Sequence, residues 1–129
     1  MNKILLLGPP GAGKGTQADI ICESLSAFAN KILGTQELEQ YTELENGSKA
    51  FYLGKQFACK EAFVKALGTG FKAPIFPKDI QILRNSLGKP EILLSAGAKS
   101  YVEDLGITKS HVSLADESNH LLAFAVLET

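Results

Sequence analysis

The sequence predicts an α+β domain, a mainly antiparallel sheet packed on one long helix. Three observations predict it. The apolar runs come in the order strand, helices, then strands around one more helix, unlike the strict alternation of a parallel sheet. Residues 49–67 have helical periodicity, with Phe51, Tyr52, Ala58, Ala62, Phe63, Ala66 and Leu67 recurring at three and four. Residues 121–127 are apolar on both faces, as suits a central strand or one at an oligomer interface.

Taken in order, residues 3–7 read as a buried strand and residues 14–33 as a helix weakened at its start by Gly15. Gly34-Thr35 stops that helix, and Thr35 caps a short one opening with Gln36-Glu37, acidic in its first turn. Asn46-Gly47 marks a turn, and Ser48 caps the long helix at 49–67. Gly54 costs about 1 kcal/mol inside it, which points to a close contact there. Gly68-Thr69-Gly70 supplies the left-handed stop. After a loop holding Pro74 and Pro77, strands are expected at 80–83 and 91–95 around the turn Gly88-Lys89-Pro90. Ser95 caps a helix that runs to about Leu105 and closes at Gly106. Two last strands, 111–115 and 121–127, flank Asp116-Glu117-Ser118-Asn119 as a hairpin.

With 129 residues, 45% of them apolar, the chain is expected to be one domain around one compact core. Two cysteines, Cys22 and Cys59, make neither a disulfide framework nor a metal cluster, which suits a reducing compartment. The N-terminal apolar run breaks at Gly8-Pro9-Pro10, too early for a membrane span, and no cleavage site follows. A soluble cytoplasmic protein is expected, with neither membrane nor nucleic acid as partner. The net charge of −1 hides an asymmetry. Residues 49–78 carry six lysines against Glu61 alone, while each flank is net acidic. A positive middle suits phosphates or an acidic partner, and equally a solvated lysine-rich helix.

The most conspicuous motif is Gly8-Pro9-Pro10-Gly11-Ala12-Gly13-Lys14-Gly15-Thr16. Its glycines would let backbone N–H groups wrap a phosphate, with Lys14 reaching it and Thr16 near a magnesium ion. Over about residues 1–25 the wording resembles the opening of adenylate kinases. The remainder argues against that function. Phosphoryl transfer between nucleotides relies on several guanidinium clamps, and this chain has one arginine, Arg84. The kinases' Asp-Gly-Phe-Pro-Arg-type motif is absent, and too few residues follow Thr16 for their sheet and lid.

A second motif sits in the lysine-rich helix, Phe57-Ala58-Cys59-Lys60-Glu61-Ala62-Phe63-Val64-Lys65-Ala66-Leu67-Gly68-Thr69-Gly70. Glu61 and Lys65 share one helix face a turn apart, and spacing alone reads as an exposed salt bridge of about 0.3–0.5 kcal/mol. The whole string resembles the signature of the holo-acyl-carrier-protein synthases. Agreement extends to Phe28-Ala29-Asn30-Lys31-Ile32-Leu33, Glu37-Leu38, Leu87-Gly88-Lys89-Pro90 and His111-Val112-Ser113-Leu114-Ala115-Asp116-Glu117, so the resemblance spans residues 28–129.

That resemblance implies a fold of the 4′-phosphopantetheinyl transferase type. It implies magnesium-dependent transfer of 4′-phosphopantetheine from coenzyme A to a serine of apo acyl carrier protein, releasing 3′,5′-ADP. It further implies a homotrimer with active sites between subunits. Glu61 would hold Mg2+, and Lys65 would neutralise a phosphate oxygen or protonate the leaving group. Lys55, Lys60, Gly88, Lys89, Pro90 and His111 would line the coenzyme A site, although Lys55, Lys60 and His111 read equally well as surface residues. Cys59 reads as packing and not as a nucleophile.

The N-terminal segment departs from the family pattern. The first strand should end in Gly-x-Asp, whose acid is the second metal ligand, and here it ends in Gly8-Pro9-Pro10-Gly11. Asp19, in Asp19-Ile20-Ile21, is the nearest replacement; to reach the site the chain from Gly8 to Thr16 would loop out and the first helix would lose about two turns, whereas a helix that continues through Asp19 leaves it an ordinary solvated acid. The arginines that dock the carrier protein are also missing, with only Lys31 between Gly15 and Leu33. Three readings follow: an active transferase using Glu61, Lys65 and Asp19; an inactive body binding coenzyme A or a carrier protein; and a P-loop nucleotide-binding protein.

Overall fold

A computed structural model describes the backbone of residues 2–7 and 18–23, and backbone and side chains of residues 24–118 and 120–129. The glycine-rich run with Lys14 and Thr16 lies outside the described residues. Strand β1 (Asn2–Leu7) is followed by helices α1 (Ala18–Ile32), α2 (Thr35–Glu43) and α3 (Asn46–Leu67). Strands β2 (Ile80–Arg84) and β3 (Pro90–Leu94), helix α4 (Ala96–Asp104), and strands β4 (Lys109–Glu117) and β5 (His120–Glu128) complete the chain.

The strands form a three-stranded antiparallel sheet in the order β1-β5-β4 and a two-stranded antiparallel sheet of β2 and β3. β5 is the central strand, which accounts for its apolar character on both faces. Leu121, Ala123, Ala125 and Leu127 are buried, while the alternate residues Leu122, Phe124 and Val126 stay partly exposed. Period-2 alternation thus turns two apolar faces in opposite directions.

Helix α3 is the axis of the molecule. Ala58, Ala62, Phe63 and Ala66 belong to a core shared with β2, α4, β4 and β5. Leu53 belongs to a second core with Ala29, Ile32 and Leu33 from the α1–α2 corner and Tyr41 of α2. A helix packed on several sides carries no single apolar stripe, so α3 is rich in alanine and lacks strong amphipathicity. The close contact expected at Gly54 is present: a Cβ there would lie 3.1 Å from Leu121 Cδ1 of β5. Gly68 closes the helix in the left-handed region at φ 84°.

Two helix starts differ from the sequence reading. α3 begins at Asn46 with Glu45 as N-cap, so Asn46-Gly47 is its first turn and Ser48 is not its cap. α2 is capped by Gly34 and not by Thr35. Partners from afar satisfy its first N–H groups: Gln81 Oε1 accepts from Gln36 N and Glu37 N, while Glu37 Oε1 accepts from Gly34 N. Ser95 caps α4 as expected, accepting from Ala98 N. The last hairpin is tighter than expected, with strands reaching Glu117 and restarting at His120. Ser118 takes φ 55° in the turn, as short hairpin connections require. Among the described residues no helix is long and apolar enough to cross a membrane.

Candidate active site

Glu61 and Lys65 stand on the partly uncovered face of α3, Glu61 half-buried and Lys65 exposed. They do not pair with each other, and neither forms an ion pair or hydrogen bond with another described residue. The exposed salt bridge that their spacing suggests is therefore not formed. A carboxylate and an ammonium without partners among the described residues stand one helical turn apart and face the same way.

Three of the residues expected to bind coenzyme A come together elsewhere. Lys89 and Pro90 from the start of β3 and His111 from β4 line a groove of about 210 Å3. The turn that delivers Lys89 is closed by Asn85, whose Oδ1 accepts from Leu87 N at 2.9 Å and Lys89 N at 3.0 Å. Gly88 occupies the left-handed region there at φ 83°. His111 is exposed, its Nε2 3.7 Å from Glu128 Oε2, beyond direct hydrogen-bond length. Glu61 and Lys65 do not line this groove.

Lys55 occupies a third place. Its ammonium pairs with Asp116 at 3.0 Å and lies 4.6 Å from the Phe51 ring centroid. It borders a separate groove of about 780 Å3 with Arg84 and Tyr52. Asp19 is the second residue of α1, so the backbone continues through it as helix. Its side chain lies outside the described residues.

Lys60 corrects the sequence reading. It is completely buried, with its ammonium 2.6 Å from Glu37 Oε1 and donating also to the carbonyls of Ile32 and Pro77. Alternation around α3 turns Lys60 inward and its neighbour Glu61 outward, so Lys60 cannot line an open ligand site. Burial draws its pKa below the ordinary lysine range, against the opposing pull of Glu37. Glu37 is also fully buried; its Oε2 accepts from the Gln56 amide and from Ile82 N.

A profile of the 4′-phosphopantetheinyl transferase superfamily matches residues 16–125. The chain belongs to that superfamily. This transferase is 42% identical over 101 residues to holo-[acyl-carrier-protein] synthase of Thiobacillus denitrificans, a match covering 78% of this chain and 76% of that one. The crystal structure of holo-[acyl-carrier-protein] synthase from Neisseria meningitidis superimposes with a TM-score of 0.82 at 31% identity, covering 99% of this chain and 97% of that one. An acyl carrier protein synthase of Plasmodium yoelii with ADP bound gives 0.74 at 27% identity, covering 98% and 96%.

Within the transferase, Cys59 is inert packing as expected: it is fully buried, and burial pushes its thiol up to about 12. Sequence reasoning missed two roles. Glu37 was legible as an acid in a first helical turn and as part of the family resemblance, but not as a buried ion-pair partner, because the groups it bonds lie up to 45 residues away. Asn85 could have been noticed as a turn-closing amide three residues before Gly88.

Proposed function

We propose that this chain transfers 4′-phosphopantetheine from coenzyme A to a serine of an apo acyl carrier protein, releasing 3′,5′-ADP. The observation that carries the reading is the Glu61 carboxylate and Lys65 ammonium, unpaired among the described residues and a turn apart on α3 within the family signature. The relatives' names give the same reaction class.

Magnesium fits Glu61 by donor chemistry. The carboxylate is a hard oxygen donor, partly exposed and in no ion pair with a described residue, and magnesium usually takes one or two protein carboxylates with phosphate and water filling the rest. Among the described residues no group of three His, Cys, Asp or Glu stands together, which suits an ion shared with substrate better than a closed protein cage. When bound, the ion supplies Lewis-acid stabilisation of charge on the pyrophosphate oxygens. Asp19 is the proposed second carboxylate.

In the transfer, the serine oxygen forms a bond to the β-phosphorus of coenzyme A. The bond from that phosphorus to the bridging oxygen breaks, its electron pair leaves with 3′,5′-ADP, and the serine proton passes to solvent. Lys65 meets the charge that develops on the departing oxygen. Lys89 and His111 hold phosphate groups in the groove that Gly88 and Pro90 shape. Lys55 joins them only by leaving Asp116.

Among the described residues of one chain, Glu61 and Lys65 do not line the groove that holds Lys89 and His111. This separation supports a site completed between subunits of a homotrimer, with the partly exposed face of β5 as the apolar contact. The P-loop reading is weakened by β1, which pairs antiparallel with β5, whereas nucleotide-binding P-loops follow strands of parallel sheets.

The test mixes the protein with coenzyme A, magnesium and apo carrier protein and follows the carrier's mass. Glu61→Ala should abolish transfer, and Lys65→Met should slow it about a hundredfold or more. Both should change stability by no more than about 0.5 kcal/mol. Normal transfer by Glu61→Ala would remove the metal role of Glu61. Coenzyme A binding without turnover in the unaltered protein would favour the inactive reading, for which the missing Gly-x-Asp acid argues.

A further inference from the structure

The residue preceding Glu61 is half of an ion pair whose two side chains are both fully buried. Lys60 donates to Glu37 Oε1 and to the carbonyls of Ile32 and Pro77, so each ammonium hydrogen has an acceptor. Glu37 accepts from Lys60 and Gly34 N on one oxygen and from Gln56 and Ile82 N on the other. Ile32 is the last residue of α1 and Glu37 lies in the first turn of α2. A cation therefore sits at a helix C-terminus and an anion at a helix N-terminus, each favoured by the helix dipole.

Stability alone is a weak reason for such a pair, because buried ion pairs are often replaceable by neutral side chains without loss. The geometry points to a positioning role: the Glu37–Lys60 pair clamps the α1–α2 corner onto α3 directly behind Glu61. It thereby sets where the Glu61–Lys65 turn stands relative to α1. Glu61 lies one residue along a rigid helical backbone from the clamp, and α1 carries Asp19 in its first turn. The joint holds the C-terminal end of α1 against the stretch of α3 that bears Glu61. The inference rests on the reading of Glu61 as a ligand.

Two variants test it. Glu37→Asp keeps the charge and moves the carboxylate by one methylene. The double variant Glu37→Gln with Lys60→Met removes both charges, leaving an amide oxygen for the Gln56 amide and Ile82 N and taking away the acceptor of Gly34 N. Gln81→Ala is the control, since it removes the acceptor for the Gln36 and Glu37 N–H groups at the start of α2 and leaves every hydrogen bond of the two paired side chains in place. Mn2+ replaces Mg2+, and its binding in the presence of coenzyme A is read by electron paramagnetic resonance beside the melting temperature and the KM for coenzyme A.

Positioning through outer partners typically accounts for about 10–100-fold in metal affinity. We expect about a tenfold or greater loss of Mn2+ affinity in each folded variant, with the KM for coenzyme A within about twofold and the control unchanged. Wild-type Mn2+ affinity in either folded variant overturns the inference. So does a loss that follows melting temperature equally in Gln81→Ala, which would reduce the pair to a structural contact. If Glu61→Ala is dead while these variants bind Mn2+ normally, only the positioning role fails; normal transfer by Glu61→Ala sinks the reading beneath it.

Discussion

Gly34 occupies a position that no side chain can share. Its φ of −76° and ψ of 177° are open to any residue, so glycine is needed there for space and not for backbone freedom. A Cβ would lie 2.5 Å from Gln81 Cδ, and the Gln81 amide oxygen is committed to the N–H groups of Gln36 at 2.9 Å and Glu37 at 3.1 Å. Gly34→Ala must displace that amide and strand two donors at the start of α2. We expect a loss of about 1–3 kcal/mol in urea denaturation, shrinking markedly in a Gln81→Ala background. Equal costs in both backgrounds would show that the crowding lies elsewhere. A cap supplied from 45 residues away explains why Thr35 was the natural choice from local sequence and Gly34 the observed one.

The turn between β2 and β3 illustrates how an element carries function. Gly88-Lys89-Pro90 was legible because glycine and proline punctuate strands. What holds the turn is Asn85, which accepts from two N–H groups and leaves Lys89 at the groove that also contains His111. Asn85→Ala should raise the KM for coenzyme A several-fold with kcat nearly unchanged, because the reacting face of α3 is untouched. A fall in kcat at constant KM would contradict the assignment of this turn to ground-state binding. Strand and helix positions followed from periodicity throughout, and the errors fell at their ends. Asn46-Gly47 reads as a turn in isolation, yet it opens α3, whose burial on several sides outweighs poor local propensity.

For the whole molecule, the sheet has one face on α3 and another on which Leu122, Phe124 and Val126 remain partly exposed. Burying that face between three copies would join the α3 site of one subunit to the β3–β4 groove of another. Light scattering should give the mass of a trimer, and Phe124→Asp should yield monomers with little transfer activity. A monomeric wild type at micromolar concentration, or a fully active monomeric variant, would exclude a shared site. The grouping of the site residues was the least legible feature in sequence. Lys55, Lys60 and Lys65 look alike as lysines of one basic helix, yet Lys55 forms a partly exposed ion pair, Lys60 a fully buried one, and Lys65 is exposed with no ion pair among the described residues. Those differences arise from where α1, α2 and β4 pack around α3, which no local pattern records.

Among the described residues, β1 and β4 both bond to β5, which comes after the other strands in chain order. Asn2 finds its partner only when Glu128 has been made. Until β5 has been made, β1 lacks the strand it pairs with, and the alanine-rich side of α3 lacks Ala123 and Ala125 to cover it. Helices and the β2–β3 hairpin can assemble earlier from neighbouring segments, but the three-stranded sheet closes in a single late event. Closure of that sheet therefore reports that translation has run through its central strand, and a product that stops short of it displays apolar surface for a chaperone or protease to recognise.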